Sequence, residues 1–218
     1  MEVLYIVSIV VFIIFLIIII PFAIKRKREH LSGQYGERKT SELLSGLQSE
    51  DEEIINDYIA SRNRKNSSSI QIDHIFISHK GIFVIETKDY RGRIYGSKEQ
   101  NNWTQVLAYG EVKNKLYNPI KQNETHCQYV GRLLDWKYPI YNVVIFIKAD
   151  IKRVSGASGF VFDPYSFRSW YKYMSTNPKM TSQAIQTIKQ QILSEMNRMQ
   201  ITKEEHIRNV QNRHDYLN

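Results

Sequence analysis

The chain has 218 residues, a net charge of +8 and a single cysteine, Cys127. That length holds one domain of ordinary size with an appendage, a lone thiol excludes an intrachain disulfide framework, and the histidines and Cys127 follow no zinc-ligand spacing. The basic balance is compatible with phosphate-rich or anionic-membrane partners without choosing between them.

In chain order, Val3 to Ile24 run without a charge, enough to cross a hydrocarbon core of about 30 Å as a helix. The leader carries Glu2 and no small-residue cleavage pattern follows, which argues against a removed signal peptide. The expectation is a membrane helix over residues 1–24, Val3 and Ile20 included, and a basic link over 25–33. Lys25 and Arg26 open a KRKR run that holds the rest of the chain on the cytoplasmic side. Leu43, Leu44 and Leu47 then predict an amphipathic helix from Tyr35 to Leu47. "EEIINDYIA" reads as a first strand and "SRNRKNSSS" as a loop. Residues 70–88 read as a hairpin turning at "SHKG", and "GRIYG" as a third short strand. "SKEQNNWTQVLAYGEVKNKLYNP" reads as loop with pieces of strand. Pro119 opens a helix with Ile120, Tyr129, Val130, Leu133 and Leu134 on its inner stripe. "YNVVIFIKA" reads as a buried strand and "GFVF" as a short one. Residues 181–200 read as a helix with Ile185, Ile188, Ile192, Leu193, Met196 and Met199 inward. Successive strands, a helix and a central apolar strand predict an α/β core with a mixed sheet. The expected domain spans 34–180, with a terminal helix and tail over 181–218.

The chemistry lies in "IQIDHIFISHKGIFVIETKDYRG". Alternation along a strand puts Glu86 and Lys88 on one face and Thr87 on the other. Counting back from the turn, Ser78 meets Gly81 and Asp73 meets Glu86, subject to the turn's register. Two adjacent carboxylates repel, and burying either alone costs several kcal/mol by order of magnitude. A divalent cation with oxygen ligands resolves the conflict, and Mg²⁺ suits it. Such an ion polarises a phosphodiester and activates water, while Lys88 orients or deprotonates that water or steadies negative charge. The plain alternative is an edge-strand salt bridge with no catalytic role.

The words "GERKTSELLSGL", "QIDHIFISHKGIFVIETKDYRGRIYG", "NNWTQV" and "YNPIKQNETH" occur in this order. Together, across roughly residues 33–135, they resemble the nuclease-related domain family, NERD, of the restriction-endonuclease-like group, whose metal site has the D…(D/E)-x-K form. The resemblance implies a restriction-endonuclease-like α/β core, a central mixed sheet flanked by helices, and phosphodiester hydrolysis with Mg²⁺ or Mn²⁺ on nucleic acid, DNA ahead of RNA. It makes Asp73 and Glu86 metal ligands, the Thr87 carbonyl a third, and Lys88 the catalytic lysine. Glu37, in the G-E word, would bind the metal directly or through water, or else simply favour the helix dipole. Gln122 would bond substrate or hold the lysine, or else be a solvated helix residue. Asn118 caps the helix that Pro119 starts. The resemblance fades after about residue 135 and does not predict the membrane helix.

His74 should face away from Asp73, as a packed histidine or as a general base. Trp103 reads as core rather than as a stacking platform. Arg91, Arg93, Lys98 and Lys121, with Lys113 and Lys115, surround the motifs in sequence and either track a phosphate backbone or form a solvated face. Cys127, beside His126, would be a nucleophile only if the fold gave it triad geometry. The leading reading is a membrane-tethered, metal-dependent nuclease. The alternatives are a non-catalytic nucleic-acid-binding module and a membrane-surface scaffold.

Overall fold

The computed structural model describes residues 15, 17, 19–21, 24, 31–61, 69–176, 179–199, 201–202 and 204–209. Of the expected membrane residues, Val3, Lys25 and Arg26 lie outside these. Ile20 is helical and exposed, as are Phe15, Ile17, Ile19 and Ile24. Among the described residues no helix is long and apolar enough to cross a membrane.

Helix α1 covers residues 31–45. Among the described residues nine strands follow: β1 (Glu53–Ser61), β2 (Ser69–Ser78), β3 (Gly81–Lys88), β4 (Arg93–Ser97), β5 (Asn102–Leu107), β6 (Val112–Tyr117), β7 (Ile140–Phe146), β8 (Asp150–Ser155) and β9 (Val161–Phe162). Helix α2 (Pro119–Leu133) lies between β6 and β7, and α3 (Pro164–Tyr173) and α4 (Ser182–Arg198) follow β9. The fold is mixed α/β. One sheet has the order β1-β2-β3-β7-β9, antiparallel up to β3 and parallel beyond it. The second has the order β6-β5-β4-β8, with only its last pair parallel.

Alternation in β3 decides which helices cover the first sheet. Ile82 and Val84 pack with Cys127 and Val130 of α2 and with Ile185, Ile188 and Ile192 of α4. Phe83 and Ile85 pack with Leu43 and Leu44 of α1 and with Phe167 and Tyr171 of α3. Glu86 and Lys88 therefore face α2, and Thr87 faces α1, where its hydroxyl donates to the buried Thr40 hydroxyl at 2.9 Å. A third apolar cluster, with Ile94, Trp103, Ile120, Val144 and Phe146, joins the two sheets.

Three expectations change. The stretch after β4 is a β5–β6 hairpin, turned at Ala108 and Tyr109, whose φ values are 46° and 55°. Two elements the sequence reading passed over are β8 and α3. The latter begins with Pro164 and an Asp163 cap whose carboxylate accepts from the Tyr165 and Ser166 N–H groups, a legible start signal.

Helix α1 is pinned beside the strand ends by Asp89, whose side chain is 2% exposed. Its Oδ2 accepts from Ser32 Oγ at 2.7 Å and pairs with Lys148 Nζ at 2.8 Å. Lys148 is half-buried, so removing it strands the Asp89 charge only in part, at roughly 1–3 kcal/mol. Lys148→Met is therefore expected to lower stability by about that much, read as the denaturation midpoint. Lys148→Met combined with Asp89→Leu should recover most of the loss; no recovery would show that the cost lies elsewhere.

Candidate active site

The inward residues of β2 change parity. Ile70 and Ile72 share one apolar cluster with Ile75 and Ile77, so the alternation breaks between Ile72 and Ile75, at Asp73 and His74. On the paired strand, Ile55 and then Tyr58 and Ala60 join the same cluster. The break there falls at Asp57, whose φ is 51° and which is absent from the β1–β2 ladder along with Asp73. A non-glycine residue held at positive φ inside a strand is a local distortion, and such distortions concentrate at functional sites. The β2–β3 ladder likewise runs only from Ser78–Gly81 to His74–Ile85. Past that point the Thr87 N–H has no strand partner on this side and donates instead to Asp73 Oδ2 at 2.8 Å. The predicted register at Ser78–Gly81 holds, and continuing it by one pair sets Asp73 opposite Glu86.

Glu86 is buried. Its Oε1 accepts from Lys88 Nζ at 2.6 Å and from Gln122 Nε2 at 2.8 Å, while Gln122 Oε1 accepts from the same Lys88 Nζ at 3.1 Å. Glu86 Oε2 lies 3.6 Å from His126 Nδ1. Glu86, Lys88 and Gln122 thus close a ring of polar contacts. Burial, with the Glu86 charge beside it, pushes the Asp73 carboxyl well above the usual carboxylate range. Burial alone would lower the Lys88 ammonium, but the Glu86 carboxylate more than compensates and its pKa is raised.

The word N-P-I-x-Q-N acquires a local reason at each place. Asn118 Oδ1 accepts from the Ile120 N–H at 2.9 Å as the α2 cap, and Pro119 occupies the first turn. Gln122 faces Glu86 and Lys88. Asn123, fully buried, donates to the Val84 and Val143 carbonyls and to Asn142 Oδ1, bracketing α2 against β3 and β7. His126 lies one turn beyond Gln122 on the same helical face. Neither Asn123 nor Asn142 is a candidate in the sequence, and His126 is one there only as the neighbour of Cys127. The i, i+4 spacing of Gln122 and His126 was the available signal.

Gly36 explains the G-E word. A Cβ there would meet Asp89 Cβ at 2.9 Å and Thr87 Cγ2 at 3.2 Å. Glycine lets α1 lie against the end of β3 and brings Glu37 into an open cleft of about 380 Å³ with Asp73, Asp57, His74 and Arg38. The Glu37 charge contributes to the rise at Asp73. Among the described residues no group of three or more His, Cys, Asp or Glu side chains converges as a metal site. The donors nevertheless fit Mg²⁺, which takes one or two carboxylates with carbonyl and water oxygens. The Asp73–Glu86 repulsion is what such a charge would relieve.

His74 lines the cleft beside Asp73, and the remaining candidates separate from this centre. His74 is buried, with Nδ1 2.7 Å from Asn56 Oδ1. Trp103 is buried and its indole N–H donates to the Ser97 carbonyl at 2.8 Å. Cys127 is buried and its thiol pKa is pushed up by that burial, which leaves it inert. Lys121 Nζ donates to the Glu99 carbonyl and Asn101 Oδ1, both at 2.7 Å. Lys98 Nζ sits 4.0 Å from the centre of the Phe160 ring. Arg91 is exposed, and Arg93 is exposed at the start of β4.

A mixed α/β protein with two carboxylates, a lysine and a glutamine gathered where strands part is the class that fold and site define. The profile of the nuclease-related domain family, NERD, matches residues 32–147, more than half of the chain. The chain belongs to that family. An uncharacterized protein of Bacillus anthracis is 30% identical over 145 residues, 65% of this chain. The match spans 66% of that relative's length, just under two thirds. No solved structure matches the chain.

Two measurements follow from the half-buried Asp73 and the buried His74. Because its native pKa is raised, Asp73 contributes stability at low pH that is lost as pH rises through that native value. At pH 7.5 in EDTA, Asp73→Asn should raise Tm by a few degrees, roughly the response to 1 kcal/mol. An unchanged Tm would contradict this arrangement. Burial lowers the His74 pKa to about 4. Stability is therefore fully present above the unfolded histidine value and falls from about pH 6.5 towards 4, by roughly 3 kcal/mol from this residue. In His74→Gln that part of the pH profile should flatten.

Proposed function

We propose that this chain is a metal-dependent nuclease, with a restriction-endonuclease-like core, held at the cytoplasmic face of a membrane. It hydrolyses phosphodiester bonds of nucleic acid, DNA ahead of RNA. The observation that carries the reading is the closed set of Glu86, Lys88 and Gln122 beside Asp73 at the parting of β2 and β3.

Asp73, Glu86 and the Thr87 carbonyl would hold Mg²⁺ or Mn²⁺, which supplies an activated water and polarises the phosphate. Lys88 has a raised pKa beside Glu86, so it enters the reaction as a cation. That favours its steadying negative charge on the phosphate or orienting water over its acting as the base. Gln122 bonds Glu86 and Lys88 together and fixes the ammonium's direction. Glu37 adds a carboxylate at the mouth of the cleft. Water adds to phosphorus, one P–O ester bond breaks, and the leaving oxygen takes a proton.

The uncharged run from Val3 to Ile24 supports the tether. So do the exposed apolar side chains of Phe15, Ile17, Ile19, Ile20 and Ile24. A tether raises local concentration at the surface and restricts reach. The ion pair that Glu86 already makes with Lys88 favours one other reading, a non-catalytic nucleic-acid-binding module.

The full chain in detergent should cut supercoiled plasmid, linear duplex, single-stranded DNA or RNA with Mg²⁺ or Mn²⁺. EDTA should abolish cutting, and Glu86→Ala or Lys88→Ala should each reduce it by about 100-fold or more. A folded protein that cuts none of these and binds no metal by calorimetry would sink the nuclease reading. Nucleic-acid binding that persists in EDTA and ignores Glu86→Ala would then support the binding module.

A further inference from the structure

The second sheet has one covered face and one open face. Ile94, Trp103, Leu116, Ile151 and Val154 belong to the apolar cluster that meets β7. Their neighbours along each strand point the other way. The pairing aligns these neighbours in two adjacent rows across all four strands. One row is Lys115, Thr104, Tyr95 and Arg153, and the next is Lys113, Val106, Arg93 and Asp150. Arg93, Lys113, Lys115 and Arg153 are all exposed. The Arg153 guanidinium stands over the Tyr95 ring, 5.4 Å from its centre, which places both side chains on this face. At the end of β6, Tyr117 is exposed on the same side. Asp150 is the one carboxylate in the two rows, and its Oδ1 is occupied by the Lys152 N–H.

Four cations over two rows of a sheet, with the exposed Tyr117 ring beside them, are suited to tracking phosphates and stacking a base. Position ties the surface to the site. Lys88 ends β3, and Arg93 opens β4 five residues later. Five residues of chain reach at most about 18 Å, only a few nucleotides of an extended strand. Strands β7 and β8 make the same passage beside them, held by the Ile147 N–H to the Lys88 carbonyl at 3.0 Å and the Asp150 N–H to the Gly92 carbonyl at 2.8 Å.

We propose that the open face of the β6-β5-β4-β8 sheet is a nucleic-acid docking platform, which holds the sugar–phosphate backbone through Arg93, Lys113, Lys115 and Arg153 while the neighbouring centre acts on the strand. The proposal rests on the nuclease reading for the identity of the occupant. The platform is separate from the catalytic residues and binds without metal.

The test uses the full chain in detergent with EDTA present, so that binding is read apart from cleavage. Fluorescein-labelled single-stranded and duplex 30-mers are titrated at several salt concentrations and followed by anisotropy. Lys113→Ala/Lys115→Ala/Arg153→Ala should weaken binding at least tenfold and reduce the slope of log K against log salt by about 2, given roughly 0.7–0.9 per lost phosphate contact. Lys113→Arg/Lys115→Arg/Arg153→Lys, which keeps the charges, should bind like wild type. Metal-dependent hydrolysis of bis(p-nitrophenyl) phosphate, too small to span both places, should be unchanged in the alanine variant. Should wild type hydrolyse nothing, the nuclease reading fails while the binding comparison still decides the platform. Equal affinity and equal salt slope in the folded alanine variant would overturn the proposal. So would a loss confined to phosphatidylglycerol vesicles with oligonucleotide binding intact.

Discussion

Two carboxylates brought together at the end of a hairpin are the constraint around which the rest of this structure is arranged. Asp73 and Glu86 approach because β2 and β3 pair in one register from the turn to His74 and Ile85 and then part. A slip of one residue would reverse the faces of β3, sending Glu86 towards α1 and burying Thr87 beside α2. Burial of one face by isoleucines and the other by Phe76, Phe83 and Ile85 forbids that slip. The apolar core therefore supplies no catalytic group but fixes which groups meet. The remaining repulsion is handled differently on each side. Glu86 is neutralised by Lys88 and bonded by Gln122, whereas Asp73 has one backbone N–H and a rise in its pKa. The unequal treatment leaves Asp73 as the carboxylate with the most to gain from an added positive charge.

Both helices that close the site reach it by backbone economy rather than by long side chains. Gly36 admits α1 to within a Cβ radius of Thr87 and Asp89. Asn123 binds carbonyls of two neighbouring parallel strands and so sets the height of α2 over the sheet. Their sequence neighbours, Glu37 and Gln122, are the side chains the two helices bring to the cleft and to the Glu86–Lys88 pair. In each case a structural residue fixes the distance and the adjacent residue uses it. This is why short words such as G-E and Q-N carry more information than either letter alone.

The hairpin, α2, β7 and α4 were legible because each has a period or a start signal. The first strand and the capping role of Asn118 were legible for the same reason. What was missed was irregular. The break at Asp73 shows in "IQIDHIFI", where isoleucine spacing runs two, three, two, against the unbroken alternation of a regular strand. Helix α3 has a capping box preceded by no apolar run long enough to mark it. Strand β8, with its charged stretch "DIKRVS", is exposed and pairs only at an edge, with a register irregularity against β4. Such a strand has little burial to leave a pattern. Clustering of basic residues in sequence also misled in part. Lys98 and Lys121 are engaged locally, whereas Arg153, 60 positions beyond Arg93, reaches the same face by pairing with Tyr95 across the sheet.

That last pairing bears on how the two sheets are related. Each contains an antiparallel run followed by a parallel strand. The parallel pair β3/β7 passes directly into the parallel pair β4/β8. Parallel neighbours need a long crossover, and here the insertion between β3 and β7 supplies it: β4, β5, β6 and α2 in turn. The crossover is therefore also the source of Gln122 and of most of the second sheet. One topological requirement, a return path between two buried parallel strands, places a helix over Glu86 and Lys88 and sets an open basic sheet at the strand ends where those residues lie. Strand ends in α/β sheets are where backbone groups and loops are free to meet a ligand. In this chain the carboxylate pair lies at the end of β3 and Arg93 opens β4 five residues later, so the short passage between the two parallel pairs is what separates the two sets of residues.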